Sequence, residues 1–553
     1  MTTSPTLCLG SPRFPAEVAA LGDDAARWRA LIARHGPQAA PALVEGDFAV
    51  ALTLDDGSAF LAVDRFAVRT LCYRTKGVAI EWAARADALA GAGADLAPQA
   101  LFDYLYLHVV PSPQTVFADV LRLPPGHVGL WRDGRLSVQP FWVPRFSPTD
   151  KPDFGALRDE FRGLLRQAVQ RQLDGSKPAC FLSGGTDSST VAGMIGEAAG
   201  QPAVCYSIGF EAEGYDEMAY AQLAARHFGC EHRQIYYTPE DLQRDIPEVA
   251  GWYDQPFGNS SALPAFHCTK TARADGVTRL LAGDGGDELF GGNSRYATQR
   301  LFGHYQRVPG LIRRGLLEPF FGLSLVAATP GLKKGSSYIR QANTPLPDRA
   351  QDYNLMRRIG YDTVLSRDFM AQVRSASIDE QLRQVWAQAE SADEIDRHLA
   401  FDWRFTLAEC DLPKVVGTAT MAGVSVGFPM LDDALLAFSM RLPPDYKVRG
   451  PALRWFFKEA LRGFLPDGVI TKKKQGFGLP FGVWMVQHEG LKRLAADALS
   501  SLVARGLVRP EFGRQLLDSL LPAYPHYYGT MAWILIMLEH WLRRHAPDWR
   551  CDR

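Results

Sequence analysis

The sequence has no C-x-x-C pair, no apolar run long enough to cross a bilayer, no low-complexity tract, no internal repeat and no excess of one charge. Each absence excludes something. The eight cysteines, Cys8, Cys72, Cys180, Cys205, Cys230, Cys268, Cys410 and Cys551, are scattered, and no Cys/His cluster has zinc-ligand spacing. Buried thiols in a reducing compartment are expected. Met1–Ala20 lacks a basic segment followed by an apolar one, so no signal peptide is expected. The longest apolar stretches, such as Met531–Leu538, fall far short of a membrane span. These features lead to the expectation of a cytoplasmic protein with no membrane partner. A formal net charge of −1 over 553 residues gives no global bias toward nucleic acid, and none is expected as a partner.

What is present is an ordinary globular balance, 47% hydrophobic and 22% charged, at a length suited to two or three domains. Residues 1–145 read as short strands and turns. Gly46–Leu54 and Ala59–Val63 flank the turn Asp55-Asp56-Gly57-Ser58, and Gly126–Trp131 and Leu136–Gln139 flank Arg132-Asp133-Gly134. The Pro-rich stretch Phe141–Pro152 reads as a linker. From residue 153 to 553 the pattern differs. An amphipathic helix (Leu157, Phe161, Leu164, Leu165, Val169) precedes the apolar strand Ala179–Leu182, and a helix is expected over Thr190–Ala198. A strand at Ala203–Ile208, a helix at Glu217–Phe228 and a strand ending at Leu280-Leu281-Ala282 continue the alternation. That order predicts an α/β fold with a parallel sheet and ligands at its carboxyl ends. Beyond Tyr296 the chain reads as mainly helical.

The strongest local signal is Ser183-Gly184-Gly185-Thr186-Asp187-Ser188-Ser189, set between strand and helix. Its glycines let the backbone approach an anion closely, and the following helix offers free N–H groups at the positive end of its dipole. Asp187 beside a bare phosphate is unfavourable, which implies Mg²⁺ between them. No lysine follows the glycines, so this is not the phosphate loop of kinases and GTPases. It resembles the pyrophosphate loop of enzymes that cleave ATP between the α and β phosphates. Gly283-Asp284-Gly285-Gly286-Asp287-Glu288-Leu289-Phe290-Gly291-Gly292 follows another strand, and two such turns at neighbouring strand ends suit one Mg-pyrophosphate. A calcium loop is excluded because the alternating D-x-D-x-D-G pattern is missing.

With both loops present the chain resembles the asparagine synthetase B family, which includes β-lactam and carbapenam synthetases. Further matches are Tyr206–Phe210, Tyr215-Asp216-Glu217, Asp254-Gln255-Pro256, Pro429–Asp432, Leu442–Lys447 and Lys474–Pro480. The resemblance covers roughly residues 40–545 and implies a β-rich, glutaminase-like (Ntn-hydrolase) domain before an adenine-nucleotide α-hydrolase-like synthetase domain. It also implies an ATP-dependent, AMP-forming carbon–nitrogen ligase. Ser183, Gly184, Gly185, Asp187 and Ser188 would hold the pyrophosphate, Leu182, Ser207 and Ile208 the adenosine, and Gly283 would also belong to the ATP site. Asp187 and Asp287 would ligate Mg²⁺, and Lys474 would stabilise charge on phosphate and oxyanion. Asp284 stands where asparagine synthetases usually carry glutamate, and an acid there can take a proton from the attacking nitrogen. A homodimer is the family's expectation.

The sequence also departs from that family. Glutamine-dependent members begin Met-Cys-Gly, leaving an N-terminal cysteine nucleophile, whereas here Thr2 follows Met1. Cys8 reads as a buried or idle thiol. Gly46-Asp47-Phe48 and Asp64-Arg65-Phe66 match the late part of the glutaminase domain, but only 45 residues precede them, about half the family's length. The domain reads as a truncated, degenerate remnant without glutaminase activity. The family's acceptor pattern G-V-E-x-R-x-P-F-L-D is Gly423–Asp432 here, without its glutamate and arginine, and the upstream D-R pair aligns with Val416-Gly417. Aspartate is therefore doubtful as substrate. The carboxylate is a small molecule or a peptide, and the nitrogen is ammonia or an amine, with a separate glutaminase or a precursor-presenting protein as candidate partner. The alternatives are an ammonia-using asparagine synthetase, a macrolactam or β-lactam cyclase, and an inactive ATP-binding scaffold. RNA thiolation is disfavoured by the lack of cysteine pairs and of a basic surface.

Overall fold

The computed structural model describes residues 5–551 apart from 307, 324, 327, 328, 330, 331 and 474–477. The N-terminal part contains β1 (Leu7–Gly10), β2 (Phe48–Thr53), β3 (Ala59–Val63), β4 (Cys72–Lys76), β5 (Ala79–Ala83), β6 (Leu121–Arg122), β7 (His127–Arg132) and β8 (Arg135–Pro140). An antiparallel sheet runs β1-β2-β3-β7-β8, and a smaller one runs β5-β4-β6. Both hairpins expected from the turns are present, with Thr53 opposite Ala59 and Arg132 opposite Arg135.

β2 and β3 are apolar at nearly every position because both their faces are covered. Phe48, Val50, Leu52 and Phe60 pack on Trp28 and Leu31 of the helix Asp24–His35. Ala49, Ala51, Leu61 and Val63 meet Leu71, Tyr73 and Trp82 on the other side. The period-two alternation of a strand assigns successive residues to opposite cores. The segment after β8 has little regular structure, as its prolines predict. It is still anchored, since the rings of Trp142 and Phe146 stack on Trp403 at 6.2 and 5.4 Å.

The C-terminal part is built on a parallel sheet of β9 (Ala179–Phe181), β10 (Val204–Phe210), β11 (Glu231–Tyr237), β12 (Arg279–Leu281) and β13 (Ser425–Gly427), in the order β11-β10-β9-β12-β13. This bears out the α/β reading. The helix Phe154–Gln172 buries Leu157, Phe161, Leu165 and Val169 of the positions its periodicity singles out, and leaves Leu164 half-buried. The helix expected from Thr190 begins earlier, at Thr186, directly after the glycines. β9 and β12 are neighbours, with Leu281 opposite Cys180, so the two Gly/Asp loops leave adjacent strand ends.

β11 and β13 were not legible as strands. β11 reads Glu-His-Arg-Gln-Ile-Tyr-Tyr because it is the edge of the sheet, where polar side chains are favoured. β13 has three residues, too few to show a period. Residues of the first part also enter the C-terminal core. The helix Pro98–Leu107 packs against the buried helix Pro525–His545, and the Tyr104 hydroxyl donates to the Ile534 carbonyl at 2.8 Å.

Candidate active site

At the carboxyl ends of β9, β10 and β12 lies a cleft of about 680 Å³. Its floor is made by the two Gly/Asp loops, and the glycines are what lets them meet. A Cβ on Gly283 would sit 2.7 Å from the Ser188 amide nitrogen, and one on Gly286 would sit 2.5 Å from Asp187 Oδ1. Gly184 has φ +73°, and a Cβ there would strike the Ala221 backbone nitrogen at 2.5 Å. Its part is to let the helix Met218–Phe228 close behind the loop.

The first loop leads into the helix Thr186–Ala199, whose N-terminus presents its free N–H groups to the cleft. Ser183 and Ser188 are held Oγ to Oγ at 3.0 Å, and Ser188 Oγ also accepts the Ser183 amide at 3.1 Å. Leu182, Ser183, Gly185, Asp187, Ser188, Ile208, Gly283, Asp284 and Asp287 all line the cleft. Gly184 and Ser207 are not among its lining. Ser207 is buried, donating its hydroxyl to the Leu182 carbonyl at 2.5 Å, and so ties β10 to the start of the loop. Phe181, Leu182, Ile208, Ala265 and Cys268 form an apolar wall suited to a flat heterocycle. Lys474 lies outside the described residues.

Asp187 and Asp287 converge on one atom. Arg454 Nη1 lies 2.6 Å from Asp187 Oδ2 and 2.7 Å from Asp287 Oδ1. Arg454 is buried at the start of the helix Trp455–Ala460 with φ +52°. Burial opposes its charge, but the two carboxylates outweigh burial and raise its pKa. Two carboxylates meeting at one cation fit the donor set of Mg²⁺, which takes one or two carboxylates and completes its shell with substrate phosphate and water. Among the described residues no group of three or more His, Cys, Asp or Glu forms a self-sufficient metal site.

A second charged group lies beside the first. Lys414 Nζ is 3.2 Å from Asp284 Oδ1 and 3.1 Å from Asp411 Oδ1, and Asn259 Nδ2 donates to Asp411 at 3.3 Å. Burial raises the pKa of Asp284 while Lys414 lowers it, with the net shift upward. For Lys414, burial disfavours the ammonium, but Asp284 and Asp411 override it and raise its pKa. Glu288 is pushed well above the usual carboxylate range by burial and by Asp287 and Asp411. At the far side Lys472 pairs with Glu217 at 2.6 Å and lies 4.6 Å from the Tyr220 ring, while burial and then Arg454 lower the pKa of Lys458.

Arg454, Lys414, Asp411 and Lys472 were not singled out in the sequence. Asp411 and Lys414 had a signal, an i,i+3 acid–base pair that shares one helix face. Arg454 had none, for it reaches Asp187 from 267 residues away. Val416 and Gly417, aligned with the family's D-R pair, bring no charge, and a Cβ on Gly417 would stand 2.7 Å from the Tyr253 ring. Lys414, two residues before Val416, is the cation that lines the cleft beside Asp284.

The parallel sheet, the paired Gly/Asp loops and the acid–base cleft lie in a domain whose family implies an ATP-dependent carbon–nitrogen ligase. The asparagine synthase family model matches residues 160–543, and the chain belongs to that family. A glutamine amidotransferase domain matches residues 28–142. The chain is 26% identical over 459 residues to asparagine synthetase [glutamine-hydrolyzing] 1 of Bacillus subtilis, covering 82% of this chain and 70% of that one. It is 27% identical over 475 residues to a putative asparagine synthetase [glutamine-hydrolyzing] of Mycobacterium tuberculosis H37Rv, covering 82% and 68%. A putative asparagine synthetase [glutamine-hydrolyzing] 2 of Methanocaldococcus jannaschii is 30% identical over 215 residues, 38% of this chain and 41% of that one.

Proposed function

We propose that this chain uses Mg-ATP to adenylate a carboxylate, releases pyrophosphate, and passes the acyl group to ammonia or an amine without hydrolysing glutamine itself. The observation that carries the reading is the convergence of Asp187 and Asp287 on one cation, next to the Asp284–Lys414–Asp411 group. The first pair holds the nucleotide end of the reaction and the second the nitrogen end. Bound Mg²⁺ supplies charge neutralisation on the phosphates.

The amides at the start of the helix Thr186–Ala199 and the hydroxyls of Ser183 and Ser188 hold the phosphates, and the apolar wall orients the base. Lys458, Lys472 and Lys474 balance negative charge on the departing pyrophosphate. When nitrogen attacks the mixed anhydride, Asp284 takes its proton, and the upward push of burial on its pKa favours that transfer. Lys414 keeps Asp284 and Asp411 from repelling one another until then. The pocket's own cation at this position, in place of the family's arginines, supports a carboxylate other than aspartate.

Loss of glutaminase activity is supported at Cys8. It lies inside β1, half-buried, and burial together with Asp24 and Asp23 pushes its thiol up to about 11, so the nucleophilic thiolate is suppressed. The deciding experiment measures AMP and pyrophosphate release from Mg-ATP and aspartate with ammonia, with glutamine, and with neither. No turnover with aspartate but turnover with peptide or saccharide acids plus a nitrogen source is the expected result. Asparagine made from ammonia would establish an ordinary synthetase, turnover on glutamine would overturn the remnant domain, and ATP binding without pyrophosphate release from any acid would make the chain a scaffold.

A further inference from the structure

Away from the cleft, one stretch differs from the rest of the molecule in both charge and exposure. Residues 295–340 hold eight of the 60 Lys and Arg residues but one of the 61 Asp and Glu. That acid, Glu318, turns inward, where its Oε1 accepts the Tyr305 hydroxyl at 3.3 Å. A helical run over 310–322, with a widened middle turn at Arg313–Leu317, seats some of its apolar residues on a small satellite core. The opposite apolar side chains face water. Leu311 is 90% exposed, Leu316 65%, and Leu325, just past the run, 78%. Arg314, Lys333 and Lys334 are exposed in the same stretch.

Single exposed leucines need no explanation, but several on and just past one short satellite element, in a stretch that also exposes basic residues, do. The partner they fit must offer negative charge outside and apolar matter just beneath it. A nucleic acid supplies the first without the second. An anionic bilayer supplies both, because an amphipathic helix lying in the interface plane buries leucines among acyl chains while its basic residues meet acidic headgroups. No described helix is long and apolar enough to cross a membrane, so the contact lies in the plane of the surface.

We propose that the helical run over 310–322, together with Leu325, Lys333 and Lys334, docks this protein peripherally on an anionic membrane surface. The global charge of −1 averages this basic stretch with a more acidic remainder. The helix Ser294–Gln306 links the satellite to the cleft, whose lining includes Asn293 and Ser294. Docking therefore brings the ligase site near the membrane.

The test is co-sedimentation of the full chain with vesicles of phosphatidylcholine, alone or mixed with phosphatidylglycerol. Binding to the mixed vesicles only, weakened by salt, is expected. The triple variants Leu311→Glu/Leu316→Glu/Leu325→Glu and Arg314→Gln/Lys333→Gln/Lys334→Gln should each weaken binding by about tenfold or more, with melting temperature and ATP binding unchanged. Failure to bind mixed vesicles overturns the proposal, as does equal binding to phosphatidylcholine alone or binding that survives the leucine substitutions. Self-association abolished by those substitutions, with no vesicle binding, would instead assign the surface to a second copy of the chain.

Discussion

At the scale of single residues, the site is organised by cations placed between carboxylates. Arg454 sits between Asp187 and Asp287 and is nearly inaccessible to water. Replacing it by methionine leaves the two acids facing each other, at an expected cost of roughly 3 kcal/mol. Addition of Mg²⁺ should then raise the melting temperature of Arg454→Met more than that of the parent. Equal shifts in a thermal titration would show that the two aspartates do not bind the cation together.

Asp284→Asn keeps a partner for Lys414 but removes the proton acceptor. Amide formation should fall about 10²- to 10⁴-fold, whereas carboxylate-dependent pyrophosphate release persists. A parallel loss of both would place Asp284 in nucleotide binding instead. Asp187→Ala and Lys474→Ala should each stop pyrophosphate release in a folded protein, and normal turnover in either removes that residue from the mechanism. Lys447, part of the Leu442–Lys447 match, has a different task. It forms a fully buried ion pair with Asp396 at 2.6 Å and so secures the fold rather than the chemistry.

At the scale of elements, the wide-turned helix Trp403–Asp411 connects the two parts of the chain to the cleft. Its Glu409 is buried and engaged by Arg122, Arg404 and the Ser112 hydroxyl. Burial opposes that carboxylate's charge, but the two arginines hold its pKa below the ordinary range. Two residues on, Asp411 meets Lys414 in the cleft. Glu409→Gln should therefore cost about 3–5 kcal/mol in a denaturant titration, because the buried Arg122 and the half-buried Arg404 lose their counter-charge. It should also weaken substrate binding through Asp411. A stability change under 1 kcal/mol would show that water or other groups replace the carboxylate.

At the scale of the whole molecule, stability should depend on pH through histidines withdrawn from water, His398 fully and His108 in part. Burial, then Arg295, Arg349 and Arg397, pushes the pKa of His398 down to about 3, and burial pushes that of His108 to about 4. A folded-state pKa below the unfolded value means that protons bind the unfolded chain more readily. The stability present at neutral pH is thus lost as pH falls through about 6.5 toward 4. Asp64, raised to about 7, and Asp103, raised to about 6, work the other way, since their protonation relieves a buried charge as pH falls. Melting curves of His398→Gln should consequently lose less stability between pH 7 and pH 4 than those of the parent. An unchanged slope would mean that His398 is hydrated in the native state.

The two Gly/Asp loops, the flanking parallel strands, both N-terminal hairpins and the family itself were legible in the sequence. Their signals are local: glycines that permit close backbone approach, alternation that repeats every two residues, and turns that close on themselves. β11 was not legible because an edge strand can be polar, and the early start of the helix at Thr186 was hidden by a Ser/Thr-rich first turn. What the tertiary structure alone decided is which charges face one another and which surfaces stay uncovered. Lys414 reaches Asp284 across 130 residues and Arg454 reaches Asp187 across 267. Leu311, Leu316, Leu323 and Leu325 are apolar, yet the packing leaves them in water. A residue's type and its neighbours determine backbone conformation, but a counter-charge or a covering surface depends on where distant chain returns, and no short-range pattern carries that.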